Sequence, residues 1–220
     1  MRRRLIPELL DDDLGTPAEI AQSLADLRRI NRWFGGTRTH VQLLRQVACA
    51  GGSRRLSLLE VGAGSGDVPL AAQRTLSREG ILLQVTLLDR RGSHLPQERS
   101  SVAGDALRLP FGDGAFDVVS CSLLAHHFEP GVLGLFAREA LRVCRSAVLI
   151  NDLVRSPLHL ALVYCGLPLF RSRVTRHDAI ASVRRSYTRE EMRRILGDVP
   201  AREVEMARHY LYRMGVIVWK

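Results

Sequence analysis

From residue 56 onward, short apolar runs alternate with stretches whose apolar positions recur every three or four residues. The runs fall at 56–61, 82–88, 102–103, 116–121 and 147–150, and helical periodicity fills 68–78 and 132–145. Brief continuous apolar runs separated by amphipathic helices predict βαβ units around a parallel sheet buried on both faces. Upstream, Thr16 and Glu19 form a capping box with Pro17 at the first helical position. Ile20, Leu24, Leu27 and Ile30 then keep helical spacing until Gly35–Gly36 interrupts it. A second helix is expected from Thr37 or Thr39 to Cys49, stopped by Gly51 and Gly52. Near the end, Thr188 and Glu191 repeat the capping box and open a helix to about Leu196, closed by Gly197. Stretches 203–207 and 210–219 read as two strands of an antiparallel hairpin at the sheet edge.

The 220 residues suit one domain with a helical appendage. The expected division is an N-terminal helical cap over 1–52 and an α/β domain over 53–220, with a lid or acceptor insert around 153–187. Aromatic residues make up only 5%, too few for a broad base-stacking surface. The net charge of +9 fits either an anionic partner or a background rich in Arg. Cys49, Cys121, Cys144 and Cys165 show no metal-ligand spacing. They read as reduced thiols, mostly core fillers, in a cytoplasmic protein. Arg2–Arg4 open the chain, but Pro7, Glu8 and the acids at 11–13 follow at once, so no signal peptide is expected. No run approaches the ~18 apolar residues of a membrane span. The most apolar stretch, 158–170, reads as a greasy lid or a lipid-touching surface.

The sharpest chemical signal is Glu60-Val61-Gly62-Ala63-Gly64-Ser65-Gly66-Asp67, a strand feeding a glycine-rich turn and then a helix. Such glycines allow a tight turn and close approach of a ligand to the backbone. A dinucleotide loop would place Gly or Ala where Asp67 stands, and that carboxylate would repel a pyrophosphate. It suits a ligand carrying an ammonium and a sulfonium, and Asp67 also reads as a helix N-cap. No Lys is present for a nucleoside-triphosphate loop. Asp89 ends the next strand, at the distance from the loop where an acid takes ribose hydroxyls. Asp105 and Ala106 end the third, where they suit an adenine.

These pieces, with Leu109-Pro110-Phe111 and Phe116-Asp117-Val118-Val119, make residues 56–152 resemble a class I S-adenosylmethionine-dependent methyltransferase of the small-molecule (quinone/polyketide-type) subgroup. The resemblance implies a Rossmann-like α/β fold: a mostly parallel seven-stranded sheet with an antiparallel C-terminal hairpin strand, plus N-terminal helices. It implies S-adenosyl-L-methionine as cofactor. Glu60, Gly62, Ala63, Gly64, Gly66 and Asp67 would lie at the methionine moiety, Asp89 at the ribose, and Asp105 and Ala106 at the adenine. Arg90 and Ser122 complete the expected cofactor set, with Arg29 and Asn31 reaching the carboxylate from the N-terminal helix.

After the fourth strand the chain reads Ser120-Cys121-Ser122-Leu123, not the Asn/Asp-Pro-Pro-aromatic motif of base-amine methyltransferases. No cysteine has the preceding proline of cytosine C5 enzymes. Ala125-His126-His127-Phe128 is similar to small-molecule members instead. A hydroxyl acceptor benefits from a base, and His126, His127 and His177 are the expected catalytic candidates. Trp33, Tyr164, Arg171 and Arg173 are the expected acceptor contacts, and no metal is expected. The expected reaction is O-methylation, with C-methylation second, of a small lipophilic partner such as a phenol, quinol or polyketide-derived ring of bacterial secondary metabolism. The alternatives are an RNA methyltransferase or a non-catalytic cofactor-binding protein. The oligomeric state is open, a homodimer among the options.

Overall fold

The computed structural model describes residues 1–96 and 100–220. Among them, the sheet has seven strands: β1 (Arg55–Val61), β2 (Leu82–Asp89), β3 (Ser101–Ala103), β4 (Phe116–Ser122), β5 (Cys144–Leu153), β6 (Glu203–His209) and β7 (Arg213–Trp219). Their spatial order is β3-β2-β1-β4-β5-β7-β6. The first five are parallel, and β7 lies antiparallel between β5 and β6. The chain order reverses between β1 and β4, the switch point at which open α/β sheets bind ligands at strand carboxyl ends.

The helices are α1 (Pro17–Trp33), α2 (Gly36–Ala50), α3 (Asp67–Arg78), α4 (Pro130–Val143), α5 (Pro157–Gly166), α6 (Arg173–Arg185) and α7 (Arg189–Gly197). Both capping boxes form, at Thr16 with Glu19 and at Thr188 with Glu191. Successive strand residues face opposite sides, which sorts the apolar runs into two cores. Leu59 and Val61 of β1 pack with Phe136 and Leu133 of α4 and Met192 of α7. Leu56 and Leu58 pack on the other face with Leu43, Leu44 and Val47 of α2 and Leu76 of α3.

Three local expectations are corrected, and the insert, left without assigned elements, gains its form. Asp67 is not the N-cap of α3: Gly66 is, at φ 71°, and Asp67 opens the first turn. Only glycine enters that left-handed conformation cheaply, so it displaces the acid from the cap. Residues 210–212 form the β6–β7 turn rather than strand, because the pairing stops at His209 with Arg213. The insert is largely helical, with α5 and α6 where the polar–apolar mixture had masked any clear period. Of the cysteines, Cys121 and Cys144 are core fillers, whereas Cys49 and Cys165 are exposed on helix surfaces.

The acidic residues at 11–13 gain a role that their sequence context hides. The first thirteen residues form a strap over the carboxyl ends of the strands. Arg91, just past β2, donates from Nε to the Asp11 carbonyl at 2.8 Å and pairs with Asp12 and Asp13 at 3.2 Å each. His94 meets Asp13 at 2.8 Å. At the other end, Arg3 donates to the carbonyls of His126 and Phe128 and stacks over Tyr187.

Candidate functional site

The glycine loop leaves β1 and is held from both sides. The Ala63 N–H donates to the Leu88 carbonyl at 3.0 Å, and the Gly64 N–H donates to Asp89 Oδ2 at 2.7 Å. The second carboxylate oxygen of Asp89 accepts from the Arg91 N–H at 2.9 Å. Asp89 therefore orients the loop as well as facing the strand ends. Gly64 sits at φ +50° and a Cβ there would meet nothing within 4 Å. Gly66 is the reverse case, because its Cβ would lie 2.7 Å from Leu87 Cδ1. One glycine keeps a cradle open; the other lets the helix pack on the sheet.

Glu60 is placed differently from expectation. Being two residues from Leu58, it points to the same sheet face, under α2. It is buried, Ser120 donates its hydroxyl to Glu60 Oε2, and His40 of α2 lies 3.6 Å away. Burial lowers the His40 pKa, offset in part by Glu60, and its Nε2 has no hydrogen-bond partner. Ser122 meets the other ring nitrogen at 3.4 Å. Glu60 and Ser122 thus belong to a buried polar cluster under α2 that includes His40, a histidine absent from the expected site.

The N-terminal helix contributes a neighbour of the expected residue. Arg29 is turned to Asp26 on its own helix, and Asn31 is buried and accepts from Arg213 Nη2 at 2.8 Å. Arg28 instead pairs with Asp67 Oδ1 at 2.8 Å, while Ser65 holds Oδ2 at 2.8 Å. One position along a helix turns a side chain by about 100°, so only the three-dimensional face decides between Arg28 and Arg29. Asp105 is exposed and its Oδ1 accepts from the Leu107 N–H at 2.9 Å, with Ala106 half-buried beside it. Arg90 is exposed.

The expected bases are engaged elsewhere. His126 is buried between two carboxylates, with Nδ1 2.7 Å from Asp152 Oδ1 and Nε2 3.2 Å from Glu8 Oε1. Burial alone would favour its neutral form, but Asp152 and then Glu8 outweigh it and raise its pKa to about 10. A group already protonated at neutral pH takes no proton from a substrate. The Asp152 and Glu8 carboxyls are correspondingly lowered, burial being outweighed by His126 in both. His127 is bonded to Asp11 at 3.0 Å, and His177 is turned to its neighbour Asp178 at 2.9 Å. Glu8, His126 and His127 have the residue types of a metal site, with ligand atoms within 4.8 Å of one another. In this arrangement the imidazolium itself supplies the positive charge between the carboxylates. Burial pushes the Cys121 thiol pKa well up, which disfavours a thiolate nucleophile.

Beyond the end of β4 lies an apolar cavity of about 400 Å³. Leu123, Leu153, Ile30, Phe34 and Val163 contribute to its wall. Trp33, Tyr164, Arg171 and Arg173 do not line it, nor do His126, His127 and His177. Trp33 projects into solvent while its helix neighbours Ile30 and Phe34 face inward, and Arg173 pairs with Glu19. Three wall residues, Leu123 (φ 59°), Leu211 (φ 50°) and Tyr212 (φ 60°), hold left-handed backbone without being glycine. Such positions cost about 1–2 kcal/mol each and cluster where the surrounding structure enforces them.

The cavity also holds a histidine outside the expected set. His159 of α5 sits 5.1 Å from Tyr212, ring on ring, and its Nδ1 lies 3.0 Å from the Val154 carbonyl. A carbonyl only accepts, so Nδ1 carries the proton and Nε2 is left with its lone pair. Burial lowers its pKa, against the Val154 bond, and nearby Arg213 lowers it further. The sequence signal was available: His159 is the one histidine in the uncharged stretch 157–170.

With this geometry the comparisons are informative. Residues 59–150 match the family model of the methyltransferase domain. The match spans 92 of the 220 residues, and S-adenosylmethionine is the cofactor that the resemblance in sequence implies. The glycine cradle open at Gly64 and the acids at successive strand ends fit that cofactor. A stretch of 44 residues is 54% identical to demethylmenaquinone methyltransferase of Beutenbergia cavernae, covering 20% of this chain and 18% of that one. The chain thus matches less than a fifth of that relative's length. The fold is similar to the plantazolicin methyltransferase BpumL solved with SAH, with TM-score 0.66 and 14% identity over 97% of this chain and 95% of that one. It is also similar to the citrinin polyketide synthase CMeT domain, with TM-score 0.52 and 14% identity over 74% of this chain and 46% of that one.

Two outcomes follow. Replacing His126 by Asn leaves two buried carboxylates without their cation, a change that costs about 3–5 kcal/mol. Thermal melts of the variant are expected to fall by roughly 6–20 °C. The wild-type His126 contribution is complete below the unfolded value of 6.5 and fades as pH rises toward about 10. Urea midpoints should decline across that window in the wild type and stay nearly level in the variant. Second, Gly66→Ala should destabilise the fold more than Gly64→Ala in urea melts, because only the former collides with Leu87.

Proposed function

We propose that the protein transfers the methyl group of S-adenosylmethionine to the oxygen of a small lipophilic acceptor, a phenol, quinol or polyketide-derived ring. The observation that carries this reading is His159 in the wall of the apolar cavity beyond β4, with Nδ1 bonded to the Val154 carbonyl. An apolar cavity with few polar groups suits an apolar body with one oriented head. The matched segment of demethylmenaquinone methyltransferase supports a quinone-like acceptor.

When bound, S-adenosylmethionine supplies a methyl group made electrophilic by its sulfonium. Gly64 leaves room for it, Asp89 holds the ribose, and Arg28 with Asp67 closes the N-terminal helix over the loop. Asp105 and Ala106 take the adenine. His159 Nε2 accepts the hydroxyl proton as the oxygen becomes the nucleophile, and its Nδ1–H stays anchored on Val154. Buried Arg213, whose own pKa burial lowers to about 10, places positive charge near the oxygen as it becomes anionic. The strap and α5 exclude water from the reacting atoms.

His159→Ala is expected to lower kcat by roughly 10²–10⁴-fold for a phenolic acceptor, with cofactor affinity unchanged by calorimetry. Full turnover in that variant would remove His159 from the mechanism. Because its folded pKa lies below the ordinary value, activity should persist under pH 6.5 and fall only as the ring protonates at lower pH. Asp89→Ala should weaken cofactor binding sharply, while near-UV circular dichroism stays native.

A further inference from the structure

The stretch 157–170, which forms α5 and the turn after it, has no charged residue, yet it does not lie inside the protein. Leu158, Leu162, Tyr164 and Leu169 are exposed, Leu158 at 60% and Leu169 at 67%. A helix apolar all round belongs in a core or a lipid phase. Here Val163, Gly166 and Phe170 roof the acceptor cavity, Leu162 and Leu169 both line it and reach solvent, and Leu158 and Tyr164 face out. The three large aromatics exposed among the described residues are Trp33, Tyr164 and Tyr210. All belong to elements that wall the same cavity: α1, α5 and the β6–β7 turn. Trp and Tyr with one apolar and one polar end favour the headgroup level of a bilayer.

Charge marks the rim. Between 156 and 177 the chain carries Arg171, Arg173 and Arg176 and no carboxylate. All three arginines are exposed, and Arg173 shares its charge with Glu19. An uncharged apolar face bordered by arginines matches the interface of a bilayer that contains anionic lipid.

We propose that the α5 roof docks on an anionic lipid bilayer, in the plane of its headgroups, so that a lipophilic acceptor passes from the acyl region into the cavity without crossing water. This rests on the lipophilic acceptor proposed above. Among the described residues no helix is long and apolar enough to cross a membrane, so the proposed contact is peripheral.

The test is flotation of the full chain with vesicles of phosphatidylcholine alone or mixed with phosphatidylglycerol. Co-flotation is expected with the mixed vesicles and should fade as salt rises from about 0.05 M to about 0.5 M. Leu158→Asn combined with Tyr164→Asn, two side chains outside the cavity lining, should abolish flotation while cofactor binding by calorimetry is retained. Replacing Arg171, Arg173 and Arg176 by Gln should cost about fivefold in vesicle affinity per arginine. Wild-type protein that stays with the soluble fraction at low salt overturns the proposal. So does a dimer in sedimentation that Leu158→Asn splits, because a second copy then covers the face. Binding to an acidic carrier protein that these Asn variants abolish, with no flotation, assigns the face to a protein partner and overturns it equally. Methylation of a short-chain phenol in lipid-free buffer without vesicle binding keeps the acceptor reading and rejects the docking. Flotation with no turnover of any phenol does the opposite.

Discussion

The imidazolium of His126, fixed between Asp152 and Glu8, is the contact on which the arrangement of the site depends. It joins four pieces of chain that are distant in sequence. Asp152 belongs to β5, His126 to the turn after β4, and Glu8 to the strap. Glu8 Oε1 also accepts from Ser182 of α6 at 2.8 Å. Burying two carboxylates and one imidazole is costly unless each is paired. Here each carboxylate has the cation as a partner, and the backbone N–H of His126 adds a bond to Asp152 at 3.0 Å. The same arrangement that fixes the strap removes His126 from acid–base chemistry.

That division between holding and reacting recurs. His126, His127 and His94 hold segments together through carboxylates, whereas the ring of His159 is bonded to the Val154 carbonyl in the cavity wall. Asp89 joins the categories, since it secures Gly64 while standing at the strand end proposed to meet the ribose. The buried cluster of Glu60, His40, Ser120 and Ser122 ties the ends of β1 and β4 to α2.

The sheet and the loop were legible because their signals are local. Apolar runs alternating with helical spacing place β1, β2, β4 and β5, and glycines at a strand end place the turn. Both capping boxes use side chains three residues apart, so they too read directly. Arg28 and Arg29 are adjacent, and only the packing of α1 against the loop separates them. The acids at 11–13 were legible as charges, but their partner Arg91 lies some 80 residues away. His126 and His127 looked catalytic because their segment resembles family members and a neighbouring His pair suggests a base. The two carboxylates that commit His126 come from remote stretches. His159 escaped notice because its surroundings read as a greasy lid, although a histidine inside such a stretch is itself informative.

The β6–β7 turn has a consequence for how the acceptor range can change over generations. Leu211 and Tyr212 both hold backbone conformations that Asn or Gly would adopt at less cost, and both line the apolar cavity proposed to take the acceptor. Drift toward smaller residues there would relax the backbone and enlarge the cavity in one step. Stability and selectivity are therefore opposed at this turn. A lineage that keeps bulky side chains there is held to a narrow set of acceptors, and one that loses them gains a more permissive and sturdier scaffold.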